Sequence, residues 1–199
     1  FNAGQTSGYK IYNRVNWGDG TITKGEYSHT YEKAGTYTFK GHYYMGQWEP
    51  TASMKETLIE IKQIPKYGKY MTSNRYLATN CKKLKKVTID DFISNDNDNG
   101  LMSAFNGCTA LEEVYIKSSL DYYAKGIILQ SAFQGCSSLK TVTMIGFKPT
   151  SCNSTFYGCS SLTEIIGLDT WDMSNCNNMR QICQGCNVLG DNTFLTMSE

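Results

Sequence analysis

Charge is scarce in this chain and nearly cancels. Of its 199 residues 19% are charged, and 19 lysines and arginines stand against 18 acidic residues, a net of +1. That leaves no general positive field to hold phosphates, which argues against a dedicated nucleic-acid binder. Long apolar runs are missing too: nothing approaches the ~18 consecutive apolar residues of a membrane span. Only three prolines occur, which excludes a Pro-rich linker chain. Histidine is limited to His29 and His42, and neither sits in a frame that looks like a catalytic triad. Hydrophobic residues, at 40%, are few for a globular chain. Aromatics nevertheless reach 13%, and with so little net charge a disordered chain is excluded. Fourteen tyrosines and a deficit of helix formers point to sheet and irregular structure. An initiator methionine is also absent. The chain starts at Phe1 and reads as a processed form or a fragment, with native targeting information elsewhere.

The two parts of the chain differ in charge and texture. Residues 1–75 carry 10 basic and 6 acidic residues, a net of +4, and residues 76–199 carry 9 and 12, a net of −3. The first part reads as hairpins over 9–62. YKIYNRVNW leads into Gly18-Asp19-Gly20, a strong turn signal. A second turn falls at Ala34-Gly35, followed by alternating Tyr37 and Phe39. TLIEIKQI is a third strand with Ile59 and Ile61 on one face, completing a small antiparallel sandwich or sheet. Asp19 lies among turn residues with no carboxylate or histidine partner in the sequence, so it reads as a turn former and not as an acid or base.

What the chain does have is cysteine. There are eight, a number that invites a disulfide or zinc reading, but the spacing argues otherwise. Cys81, Cys108, Cys136, Cys159 and Cys186 recur at intervals of 27, 28, 23 and 27. Each opens the same local frame: NCKKLKKVTI, GCTALEEVYI, GCSSLKTVTM, GCSSLTEIIG and GCNVLGDNTF. Leu84, Leu111, Leu139, Leu162 and Leu189 follow by three. Val87, Val114, Val142 and Ile165 follow by six. Phe105, Phe133 and Phe156 precede the cysteine by three, and Gly107, Gly135, Gly158 and Gly185 by one. An internal repeat of about 23–28 residues is in the range of leucine-rich repeats. One unit cannot bury its apolar face alone, whereas stacked copies share a continuous core. A cysteine at one fixed position is then a small buried hydrophobe in a ladder. Cys183 falls where other copies have Phe and fills the core likewise. Cys183–Cys186 makes a CxxC, but the repeat accounts for both members, and no second CxxC or nearby histidine completes a metal site. No cofactor is expected. Whether Cys152 and Cys176 are bridged is left open.

The alternation at the end of each frame reads as a short strand, and stacked copies would pair these strands in parallel. Val87/Ile89, Val114/Ile116 and Val142/Met144 point inward. The alternate residues face solvent, and Lys86, Thr88, Glu113, Tyr115, Thr141, Thr143 and Glu164, with Ile166, form the candidate binding surface. SAFNGC, SAFQGC and STFYGC read as short helical turns with Ser as cap and Phe buried. The insert DDFISNDNDNGLM resembles a calcium loop. Setting Gly100 at position six places Asn95, Asn97 and Asn99 at one, three and five. Asn106 then stands where a bidentate Glu is needed, so the insert reads as a polar surface loop. Tyr43, Tyr44, Trp48, Tyr122 and Tyr123 are further contact candidates.

NWGDGT and HTYEKAGTYTF resemble the signature of PKD-like immunoglobulin-type β-domains. AFNGCTALEEVYI, AFQGCSSLKTVTM and TFYGCSSLTEIIG resemble the BspA-like leucine-rich repeats of bacterial surface proteins. DTWDMSNCNNM at 169–179 is similar to that family's NFDTSNVTNM connector, with Cys176 where Val is often found. The resemblance spans residues 9–190. It implies a mainly β fold with short helical turns: an N-terminal Ig/PKD-like β-sandwich at 1–65, then a leucine-rich-repeat solenoid at 66–199 of about five copies, the last degenerate. It further implies a secreted or cell-surface protein, with outer-membrane anchoring of a full-length form left open. The implied role is adhesion to host extracellular-matrix or other cell-surface proteins, or to glycans. No catalytic residue belongs to the pattern. An enzyme would need a carboxylate pair or an activated nucleophile, and Glu113 and Glu164 stand two units apart. The alternative is an architectural spacer of a larger surface protein.

Overall fold

The protein is described by a computed structural model that covers residues 14–24, 29, 32–33, 40–41, 52–63, 75–92, 100–118 and 126–190. Tyr43, Tyr44, Trp48, Tyr122, Tyr123, His42, the turn at Ala34-Gly35 and the Asn95–Asn99 stretch lie outside those residues.

The N-terminal hairpins pair as their alternation requires. Strand β1 (Arg14–Asn16) is antiparallel to both β2 (Ile22–Lys24) and β3 (Lys40–Gly41). The intervening turn needs left-handed backbone at Gly18 and Gly20, with φ of 85° and 94°. Side chains close it: Asn16 Oδ1 accepts from Gly18 N–H, and Asp19 Oδ1 accepts from Thr21 N–H at 2.9 Å. The other carboxylate oxygen of Asp19 lies 2.6 Å from His29 Nε2. The expectation that Asp19 lacks a histidine partner is therefore corrected: the fold brings together two residues ten apart in the chain. The Thr21 backbone bond first, and then His29, hold the Asp19 carboxyl down at about 2. Trp17 is buried, donates from Nε1 to Thr23 Oγ1, and stacks on the His29 ring at 5.1 Å.

A helix, α1 (Ala52–Thr57), precedes β4 (Glu60–Gln63). The sequence assigned β4 to the N-terminal hairpins. It is instead the edge of a five-stranded parallel sheet with β5 (Lys86–Phe92), β6 (Glu113–Ser118), β8 (Thr141–Ile145) and β10 (Glu164–Ile166). The register explains why. Ile61 pairs with Val87, Val87 with Val114, Val114 with Val142, and Val142 with Ile165. Leu58 therefore occupies the slot of Leu84, three residues before the inward β-branched position. A further copy of the repeat precedes the first one marked by cysteine, and Lys55 stands in its cysteine slot. In a separate two-stranded sheet, β7 (Ile127–Ile128) pairs in parallel with β9 (Pro149–Ser151), and a 3₁₀ turn follows β10 at Leu168–Thr170.

The inward residues Val87, Ile89, Val114, Ile116, Val142, Met144 and Ile165 are all buried, as the alternation predicted. The SAFNGC-type runs are not helical, which corrects the expected helical turns. Alanine and cysteine N–H groups close i→i−3 turns, as in Ala104 to Leu101 O and Cys108 to Phe105 O. The alternate groups leave the unit for the next copy: Ser103 N–H to Gln130 O, Phe105 N–H to Ala132 O, and Gly107 N–H to Gln134 O, all at 2.8–2.9 Å. A helix would consume every N–H internally; here half of them tie consecutive copies together. Ser103, Ser131 and Ser154 are not helix caps but hold left-handed backbone at φ 53–55°.

Two side-chain ladders run through the stack. Phe105, Phe133 and Phe156 are stacked at 5.3 and 5.5 Å. Cys108, Cys136, Cys159 and Cys186 each donate S–H to a carbonyl of the preceding copy, at Ala78, Phe105, Phe133 and Phe156 respectively, over 3.0–3.1 Å. The cysteine slot is thus both an apolar filler and a donor. The residue before each cysteine, Gly107, Gly135, Gly158 or Gly185, has φ between 72° and 83°, and Asn80 fills the same slot in the first cysteine copy at 61°. A Cβ at Gly135 would meet nothing closer than Gly107 Cα at 3.9 Å, so backbone strain alone opposes a side chain there. Gly135→Ala is expected to lower stability by about 1–2 kcal/mol. Gly135→Asn should cost less, because asparagine tolerates this conformation. Thermal unfolding of the two variants side by side checks that order.

Candidate binding face of the parallel sheet

The outward positions of the five strands form rows across the sheet. One row is Glu60, Lys86, Glu113, Thr141 and Glu164, and the next is Lys62, Thr88, Tyr115, Thr143 and Ile166. All seven sequence-predicted site residues therefore lie on one face, in two adjacent rows, with neighbouring strands about 4.8 Å apart. Glu113, Glu164 and Ile166 are exposed, and Lys86, Thr88, Tyr115, Thr141 and Thr143 are half-buried by their neighbours.

The two central charges of the first row are committed to each other. Lys86 Nζ donates to both oxygens of Glu113, at 2.8 and 2.9 Å, and this hydrogen bond, more than simple attraction, raises the lysine above its ordinary range. Glu113 and Glu164 are separated by Thr141, and Glu113 is already engaged, so the two do not form a carboxylate pair. The second row is different in kind: Thr88, Tyr115 and Thr143 put two hydroxyls either side of a phenol on the central strands. A surface of this type offers hydrogen bonding and aromatic contact area without a strong field.

Sequence reasoning missed part of the face. The residues just before the strands line up as Lys85, Glu112, Lys140 and Thr163 through backbone bonds of 2.9–3.0 Å. Lys140 Nζ lies 3.0 Å from Glu112 Oε2, and that bond lowers the Glu112 carboxyl. The period-2 pattern could not mark this row, because it sits one residue outside the alternation. The β4 contribution, with Glu60 and Lys62 exposed, was missed because cysteine was used to mark the repeat. The spacing of Leu58 and Ile61 was the signal that would have found it.

All eight cysteines are free thiols. Burial pushes Cys81 up to about 11 and Cys136 up to about 12, and it raises Cys108 as well. At the end of the stack Cys186 lies beside two other thiols. The three share their surroundings, so that Cys186 gives up a proton more readily and Cys159 and Cys183 hold theirs more tightly. Cys152 and Cys176, whose pairing the sequence left open, have their Sγ atoms 3.8 Å apart. Among the described residues no group of three or more His, Cys, Asp or Glu is arranged to hold a metal ion, and no helix is long and apolar enough to cross a membrane.

No curated protein and no solved structure matches the chain. The family model described as BspA type leucine rich repeat region matches residues 56–162 in six copies. It begins within α1, so the family pattern includes the additional copy whose strand is β4. The match spans more than half of the 199 residues, and β4, β5, β6 and β8 of the parallel sheet lie within it: the chain belongs to the BspA-type leucine-rich repeat family.

Proposed function

We propose that the chain is a protein-binding module displayed on a cell surface or secreted, which engages host extracellular-matrix or other cell-surface proteins through the outer face of its parallel sheet. In this reading the repeats form a leucine-rich-repeat solenoid, the N-terminal hairpins are a PKD-like β-domain, and the chain performs no catalysis. Family membership supports a protein-interaction role. The observation that carries the choice of face is the alignment of Thr88, Tyr115 and Thr143 beside the Lys86–Glu113 pair on the central strands. Aromatic and hydroxyl side chains of this kind make adaptable contacts at low entropic cost, and the flanking charges select partners by complementarity.

A spacer role is the second reading. The observation in its favour is that Lys86 and Glu113, and Lys140 and Glu112, satisfy each other and leave less for a partner. A binding screen of the protein against matrix proteins and glycans separates the two readings, and consistent silence favours the spacer. Where a partner is found, the combined change of Lys86, Glu113, Tyr115 and Thr141 to Ala is expected to weaken binding at least tenfold with circular dichroism unchanged, since these side chains point away from the core. Unchanged affinity would move the binding site off this face.

A further inference from the structure

The pair Cys152 and Cys176 lies away from the candidate face and has no part in the proposed binding. Twenty-four residues separate the two in sequence, yet their sulfurs are 3.8 Å apart. The backbones carrying them are tied beside the pair: Asn177 N–H donates to Thr150 O at 3.1 Å, and Cys152 N–H donates to Asn178 O at 2.7 Å. The segment bearing Cys176 is itself held in a tight turn. Asp172 Oδ1 accepts from both the N–H and the hydroxyl of Ser174, and Cys176 N–H donates to Met173 O. Both cysteines are thus positioned before any bond forms, and the sulfurs need to close by only about 1.8 Å to reach the disulfide distance of about 2.05 Å. Neither belongs to the S–H ladder. Their environments also differ: Cys152 is fully buried, whereas Cys176 is half-buried between the exposed Asn175 and Asn177.

We infer that Cys152 and Cys176 form a thiol-disulfide clamp, oxidised by small-molecule disulfides, that locks the final described turns of the repeat stack onto the copy before them. Cys176, the accessible member, loses its proton to solvent and attacks one sulfur of the small disulfide. That S–S bond breaks, and one thiolate leaves and takes up a proton. Cys152 then gives up its proton and attacks Cys176 Sγ in the mixed disulfide. The Cys152–Cys176 bond forms, and the second small thiol departs with the proton. Two protein thiols are oxidised by two electrons, and one small disulfide is reduced to two thiols. Burial of Cys152 makes the second step the slow one, since burial disfavours its thiolate. The closed bond restrains a 24-residue segment, and the unfolded state loses the corresponding freedom.

The test is incubation of the whole protein with excess oxidised glutathione at pH 8, then alkylation of remaining thiols, digestion with trypsin and a glutamate-specific protease without reduction, and mass spectrometry. The expected result is a linked peptide pair joining Cys152 to Cys176, a rise in Tm of about 5 °C or more, and reversal of both by dithiothreitol. Cys176→Ser and Cys176→Ala alter a half-exposed position and are expected to fold, to form no such link, and to show no oxidant-dependent change in Tm. Cys159→Ser distinguishes Cys152 from the other cysteine in its peptide: the link must persist in that variant. Several outcomes would overturn the inference: both thiols fully alkylated after oxidant, glutathione retained on Cys176 without resolution, a link ending on Cys159, Cys183 or Cys186, or a Tm that does not move when the bond forms.

Discussion

Phe133→Ala is expected to cost about 3–5 kcal/mol, the largest loss among the ladder positions. The ring is fully buried and lies between two others, 5.3 Å from Phe105 with planes 10° apart and 5.5 Å from Phe156 with planes 4° apart. Its removal opens a cavity in the middle of the stack and deletes two aromatic pairs, each worth about 0.5–1.5 kcal/mol beyond burial. Phe105→Ala should cost less, because Phe105 has a ring on one side only; the copy before it carries Ala78 in the same slot. Phe133→Leu should cost least of the three, since it retains most of the volume. Because each copy contacts only its neighbours, the damage should centre on the copies bearing Phe105 and Phe156. Urea unfolding of the three variants checks the order. A Phe133→Ala loss no greater than that of Phe105→Ala would refute the ring stack as an energetic unit.

Alkaline pH is expected to weaken the fold steeply. The buried thiols of Cys81, Cys108 and Cys136 are raised above their ordinary value of 9.0. The sign follows directly. Below pH 9 both folded and unfolded chains hold these protons, and the contribution to stability is complete. Above pH 9 the unfolded chain releases them while the folded chain keeps them, so the unfolded state binds fewer protons and stability falls with pH. Each thiol contributes a slope approaching ~1.4 kcal/mol per pH unit. The three together remove about 4 kcal/mol between pH 8 and 10. The loss from Cys81 levels off near pH 11 and that from Cys136 near pH 12, where the folded protein titrates too. The decisive comparison is with Cys136→Ala, which removes one of these thiols and leaves every other group in place. That variant should be less stable at pH 7, having lost its S–H bond to Phe105 O, but its denaturant midpoint should fall less steeply between pH 8 and 10. Equal slopes in the two proteins would show that this thiol does not carry its proton into the folded interior.

Much of the repeat region was legible in the chain because the repeat states its own register. A residue type recurring in the same frame must occupy the same environment in each copy, so Leu84, Leu111, Leu139 and Leu162 were readable as core, and so were Val87, Val114 and Val142. The period-2 alternation then assigned Lys86, Thr88, Glu113, Tyr115, Thr141, Thr143 and Glu164 to one face. The same reliance on recurrence caused the errors. β4 was taken for a hairpin strand because its copy has Lys55 where the others have cysteine. The SAFNGC-type runs have the composition of short helices. Their backbone N–H groups, however, are divided between the turn and the next copy, and no local pattern records that division.

By itself the sequence determined the periodic inner core, the parallel strands and the outward rows, since burial of one face at a fixed period admits few other arrangements. Only the tertiary structure decided the contacts between residues that no period relates: Asp19 with His29, Lys140 with Glu112, the thiol donors with carbonyls one copy back, and Cys176 beside Cys152. Those depend on how the backbone of one copy settles against the next, at distances of about 3–4 Å where hydrogen bonds form or fail, and spacing along a chain does not resolve lengths that small.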